Sequence, residues 1–130
     1  MKIYLAGPYT PSGGDPHDAA RVAHQNTLKA IKSGVEVIKK GHDPFIPHLT
    51  HYIHLETEEP LPAEFYYEYD MVWLQYCDAL LYLGASRGAN RELKWAEERG
   101  LKIFRSTDEI PLASPWDFLK AKPEAPAAME

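Results

Sequence analysis

One cysteine, Cys77, occurs in 130 residues. A lone thiol cannot close an internal disulfide, so a packed core has to hold the fold. Basic residues are outnumbered by acidic ones, leaving a formal net charge of −5. That balance excludes electrostatically driven binding to a nucleic acid polymer or an anionic membrane, while a local basic pocket can still hold one phosphate. Long apolar runs are also missing. The first, IYLAGPY, ends too early for a signal sequence or a membrane span, and the expected compartment is the reducing cytoplasm. Neither the Gly-Lys-Ser/Thr ending of a P-loop nor the dinucleotide fingerprint is present. Cys77 itself stands beside Asp78, whose carboxylate raises a thiol pKa, and reads as a buried structural residue rather than a nucleophile.

What is present is the pattern of one ordinary soluble domain, with 45% hydrophobic and 25% charged residues. KIYLA, closed by Gly7 and Pro8, reads as a buried strand and a loop. From an N-cap at Asp15 or Asp18 to Lys40, small or apolar residues recur every three or four positions, which predicts a long amphipathic helix weakened at Gly34 and stopped at Gly41. DPFIPH is a short strand bounded by prolines, and ETEEPLP is a loop. Phe65 to Tyr76 follow helical spacing, and ALLYL is the most apolar run and a central strand. GASRGAN then leads into a helix RELKWAEERG, LKIF is a last strand, and a short helix is expected around Trp116 to Lys120. Alternating strands and helices predict an α/β fold: a single-domain, doubly wound parallel sheet of four to five strands, Rossmann/flavodoxin-like, with helices on both faces. The domain is expected to cover residues 1–122, with a disordered tail at 123–130.

Ligands bind such sheets at the carboxyl ends of the strands. The segments expected to meet there are Gly7, Pro8 and Tyr9, then His48 to His54, then Gly84 to Glu92. Ser86, Gly88, Ala89 and Asn90 lie where a strand runs into a helix and free N–H groups and a hydroxyl face an anion. Glu92 is expected in the first turn of that helix, where the dipole stabilises its ionised form as a nucleophile or base; alternatively it merely offsets the dipole. A capping box is absent, since position 89 is alanine. Asp70 interrupts an aromatic helix face and has the raised pKa of a general acid if buried, or is a solvated surface residue if not. Asp78 begins a strand, away from the ligand end, and reads as structural. His48, His51 and His54 are spaced by three and raise the possibility of a metal hydrolase, although the His-Glu-x-x-His pattern is absent.

KIYLAGPYT, GHDPFIPHLTH, YDMVWLQYCDALLYL and SRGANRELKWAEERGLKIF occur in this order over residues 2 to 104. Together they resemble the nucleoside 2-deoxyribosyltransferase superfamily, and in particular its small DUF4406-like members. The resemblance implies that Glu92 is the nucleophile that attacks the anomeric carbon, that Tyr4 orients it, that Asp70 contacts and protonates the leaving base, and that Gly7 and Pro8 face the sugar. Asp78 matches a structural aspartate. Ser86 replaces the aspartate of nucleoside-acting transferases and matches the serine of nucleoside 5′-monophosphate N-glycosidases, so with Arg87 or Arg91 it implies a phosphorylated substrate. The expectation is therefore cleavage or transfer at the N-glycosidic bond of a nucleoside or nucleotide, without cofactor or metal, by a homodimer or higher homo-oligomer. The alternative is a non-catalytic nucleotide-binding or sensing module. On either reading His48, His51 and Tyr52, with His54, form a wall against a planar base or sugar.

Overall fold

A computed structural model describes residues 1–11 and 14–113. Strand β1 (Lys2–Ala6), β2 (Asp43–Phe45), β3 (Ala79–Tyr82) and β4 (Lys102–Phe104) form one four-stranded sheet in the order β2-β1-β3-β4, with every pairing parallel. The helices are α1 (Pro16–Lys39), α2 (Thr50–Glu56), α3 (Ala63–Leu74) and α4 (Arg87–Glu98). Short 3₁₀ turns at Pro47–Leu49 and Thr107–Glu109 follow β2 and β4. The fold is therefore the expected parallel α/β sheet of Rossmann/flavodoxin-like type.

Alternation along β1 divides the interior. Ile3 and Leu5 pack with Val37 of α1, Ala79, Leu81 and Ile110. Tyr4 and Ala6 point the other way, to Leu74 of α3 and Ala89 and Ala96 of α4. Helices thus cover both faces, and β1, buried from Ile3 to Ala6, has neighbours on both sides.

Asp15 is the N-cap of α1, accepting from the His17 N–H at 2.9 Å, and Gly41 ends the helix region in the left-handed conformation at φ 88°. Gly34 does not interrupt the helix. A Cβ there would stand 2.4 Å from Ile46 Cδ1, so the glycine permits α1 to approach the segment after β2. Asp78 accepts from the Lys2 N–H at 2.8 Å and is structural, as read.

Two readings need correction. Cys77 is half-buried, not fully buried, and its thiol is pushed up to about 11 by burial and by Asp78. Helix α4 begins at Arg87 rather than at Arg91, because Ser86 is its N-cap: its Oγ accepts from the Ala89 N–H at 3.0 Å. The segment expected around Trp116 to Lys120 and the tail at 123–130 lie outside the described residues.

Candidate functional site

The carboxyl ends of β1 and β3 turn away from the sheet side by side. Leu83 N–H donates to the Ala6 carbonyl at 2.7 Å, and a Cβ on Gly7 would stand 2.9 Å from Leu83 Cβ. Only a residue without a side chain lets the two turns pack this closely. Beyond them opens a cleft of about 1050 Å³. Gly7, Pro8 and Tyr9 form one part of its lining, His48, His51 and His54 another, Asp70 a third, and Ser86, Gly88, Ala89 and Glu92 a fourth, while α1 adds Ala23 and Asn26. The sequence-predicted residues are thus brought together with three exceptions. Tyr52 is exposed and stands outside the lining. Tyr4 lies beneath the cleft, fully buried, and reaches it through Glu92. Asn90 faces away, exposed, and accepts from the Tyr82 hydroxyl at 2.6 Å.

Glu92 is only 6% exposed. Because α4 starts at Arg87, Glu92 occupies the second helical turn and not the first, and no acidic residue lies in the first turn. The helix-dipole argument for a low pKa therefore fails, since that field fades within one turn. Burial dominates instead and pushes the carboxyl up to about 7, against the hydrogen bond from Tyr4 and the charge of Arg91. The Tyr4 hydroxyl donates to Glu92 Oε2. Burial, then the charges of Glu92 and Asp70, holds the Tyr4 pKa well above its ordinary value, so it stays a donor.

Asp70 is pushed up to about 8, first by burial and then by the charge of Glu92. At neutral pH it is mainly the protonated carboxyl, and Glu92 is near its midpoint. Among the described residues, three buried side-chain atoms have no hydrogen-bond partner: Asp70 Oδ1, Tyr66 Oη and His48 Nδ1. All three residues line the cleft. Buried polar groups are almost always hydrogen-bonded, so these three atoms are candidates for contact with a bound molecule or water. Tyr66, four residues before Asp70, belongs to the aromatic face of α3 expected to surround that carboxyl, but its place in the cleft lining is not among the sequence expectations.

The histidine stretch is not one helix: His48 sits in the 3₁₀ turn, and His51 and His54 in α2. His48 is held by a contact of its Nε2 with the Pro8 carbonyl at 3.1 Å, and burial lowers its pKa. Among the described residues, no three His, Cys, Asp or Glu side chains are grouped so as to hold a metal ion. At the other wall, the Arg91 guanidinium lies 3.5 Å from the Tyr67 ring centre, a cation–π contact, and 3.8 Å from Glu64. Arg87 lines the same side.

Among the described residues no helix is long and apolar enough to cross a membrane. No curated protein matches the sequence. Residues 1–106 match the family described as Domain of unknown function (DUF7768). That span contains every strand of the sheet and every residue of the cleft, and the chain belongs to the DUF7768 family.

Proposed function

We propose that the cleft cleaves or transfers the N-glycosidic bond of a nucleoside or nucleoside 5′-monophosphate. The observation that carries this reading is the pair of carboxyl groups lining one cleft, Glu92 buried and Asp70 half-buried, both pushed up by loss of solvent, to about 7 and about 8, with the Tyr4 hydroxyl on Glu92. Glycosidic cleavage through an oxocarbenium-like state asks for such a pair.

Ionised Glu92 attacks the anomeric carbon as the bond to the base breaks, and Asp70 gives its proton to the departing base. Asp70, now a carboxylate, takes a proton from the water or second base that releases the sugar from Glu92. Tyr4 orients the nucleophile through its hydrogen bond. The resemblance to the nucleoside 2-deoxyribosyltransferase superfamily points to the same residues. Ser86 supports a phosphorylated substrate: its oxygen accepts from Ala89, its own proton remains for a ligand, and Arg87 and Arg91 line the same part of the cleft. The protein works without cofactor in this scheme. The exposed apolar side of α3, with Phe65, Val72 and Trp73 each about half exposed, favours a homodimer or higher homo-oligomer.

The test is release of free base from a panel of 2′-deoxynucleosides and their 5′-monophosphates, followed by chromatography. Wild type should release base, and Glu92→Gln should lose about 1,000-fold or more in kcat, the usual consequence of removing a covalent nucleophile. Full activity in Glu92→Gln would refute the mechanism. Tight binding of the same nucleotides without release of base would instead identify a nucleotide-binding module.

A further inference from the structure

A hydrogen-bonded row runs from the cleft to the surface of α1. Tyr9 Oη lies 2.6 Å from His51 Nδ1, and His51 Nε2 lies 3.3 Å from His24 Nδ1. The rings also touch, with centroids 5.6 Å apart for Tyr9 and His51 and 5.4 Å for His24 and His51. The main chain of Tyr9 is held independently, because Asn26 Nδ2 donates to its carbonyl at 2.9 Å. Tyr9 and His51 line the cleft, whereas His24 is exposed on α1 outside that lining.

A neutral row of this kind has two polarities. In one, the Tyr9 hydroxyl donates to His51 Nδ1, the His51 Nε2–H donates to His24 Nδ1, and the free lone pair of Tyr9 is left for a ligand donor. In the other, His24 Nδ1–H donates to His51 Nε2, His51 Nδ1–H donates to Tyr9, and the Tyr9 proton is left for a ligand acceptor. Burial favours the uncharged forms of both inner members, raising the pKa of Tyr9 and lowering that of His51.

We propose that His24 is a positioning residue that, through His51, holds the Tyr9 hydroxyl in the cleft wall and sets whether it offers substrate a proton or a lone pair. The proposal rests on the cleft being the substrate site. His24 touches no reacting atom. Its role is to remove the rotational freedom of a ring that otherwise has one hydrogen bond instead of two, a contribution expected in substrate binding rather than in the bond-breaking step.

The experiment compares wild type, His24→Ala and His24→Asn as the full chain, Asn being able to place an amide near the position of Nδ1. Ring-nitrogen NMR should show one hydrogen-bonded tautomer for His51 in wild type, averaged nitrogen shifts in His24→Ala, and a return toward the wild-type pattern in His24→Asn. Unchanged His51 shifts in His24→Ala overturn the proposal. With whichever 2′-deoxynucleoside 5′-monophosphate the wild type cleaves, His24→Ala should raise KM about 5-fold, the worth of one neutral hydrogen bond, with kcat within about 2-fold. A loss confined to kcat overturns it as well. If wild type cleaves none of the panel, the glycosidic reading falls and the NMR comparison alone decides: averaged shifts in His24→Ala sustain the row, unchanged shifts remove it.

Discussion

At the scale of single residues the site depends on two carboxyl groups that burial has moved into the neutral range. Turnover in the proposed reaction needs Glu92 ionised and Asp70 protonated. The pH profile of kcat/KM should therefore be a narrow bell, rising through about 7 and falling through about 8, and a flat profile between pH 6 and 9 would contradict the assignment. The same burial has a thermodynamic consequence. Glu92 holds its proton more tightly folded than unfolded, with its pKa raised from 4.5 to about 7. Its contribution to stability is fully present below the unfolded value and is lost as pH rises through the folded one. Glu92→Gln cannot titrate, yet its side-chain oxygen can still accept from Tyr4. In denaturant titrations it should match wild type near pH 4 once a constant offset is removed, then gain on the order of 3 kcal/mol relative to wild type by pH 8. Equal slopes with pH would mean that Glu92 is ionised as readily folded as unfolded.

At the scale of elements, glycine positions separate packing from propensity. A methyl on Gly7 meets Leu83 Cβ, an atom that moves only with its backbone, whereas nothing lies within 4 Å of one on Gly88. Gly7→Ala should cost about 1–3 kcal/mol by chemical denaturation. Gly88→Ala, inside the first turn of α4, should be neutral or stabilising by up to about 1 kcal/mol. The strands and long helices could be read from the sequence because their apolar spacing is strong and glycines stop them, as at Gly7, Gly41 and Gly84. The start of α4 was harder to read, since Gly84, Gly88 and Asn90 in GASRGAN favour a loop locally, whereas the Ser86 hydroxyl, accepting from the Ala89 N–H, caps a helix that begins at Arg87. That four-residue error moved Glu92 from the second turn to the first and produced the wrong physical reason for a residue correctly placed in the cleft. The 3₁₀ turn after β4 carries a capping box of Ser106 and Glu109 within STDE, a legible signal that was passed over. The role of His24 has no local signal, because it arises from a contact across the fold with His51, 27 positions further along the chain; Tyr66 does have one, since it stands one helical turn before Asp70.

At the scale of the whole molecule, the sheet separates an α1 side, closed by Ile110, from an α3 and α4 side, and the cleft at its carboxyl end is lined from both. Lys40 Nζ donates to the Thr107 and Ile110 carbonyls at 2.6 and 3.0 Å, tying the segment after β4 to the end of α1. The exposed side of α3 belongs to neither interior, and Trp73 there is stacked on Phe45 while remaining 46% exposed. If that side is the surface of self-association, sedimentation should give a dimer or larger species for wild type, and Val72→Glu, at a position 51% exposed, should shift it to monomer with the fold intact. A wild-type monomer at all concentrations would dismiss the oligomer. Strand β1 has one last consequence. Ile3 and Leu5 belong to one interior and Tyr4 to the other, so a slip of one residue in β1 would exchange the two sets and carry the tyrosine hydroxyl away from Glu92. If the proposed reaction is the protein's own, molecules with a mispaired central strand are silent in it, and specific activity becomes a census of the correctly assembled members.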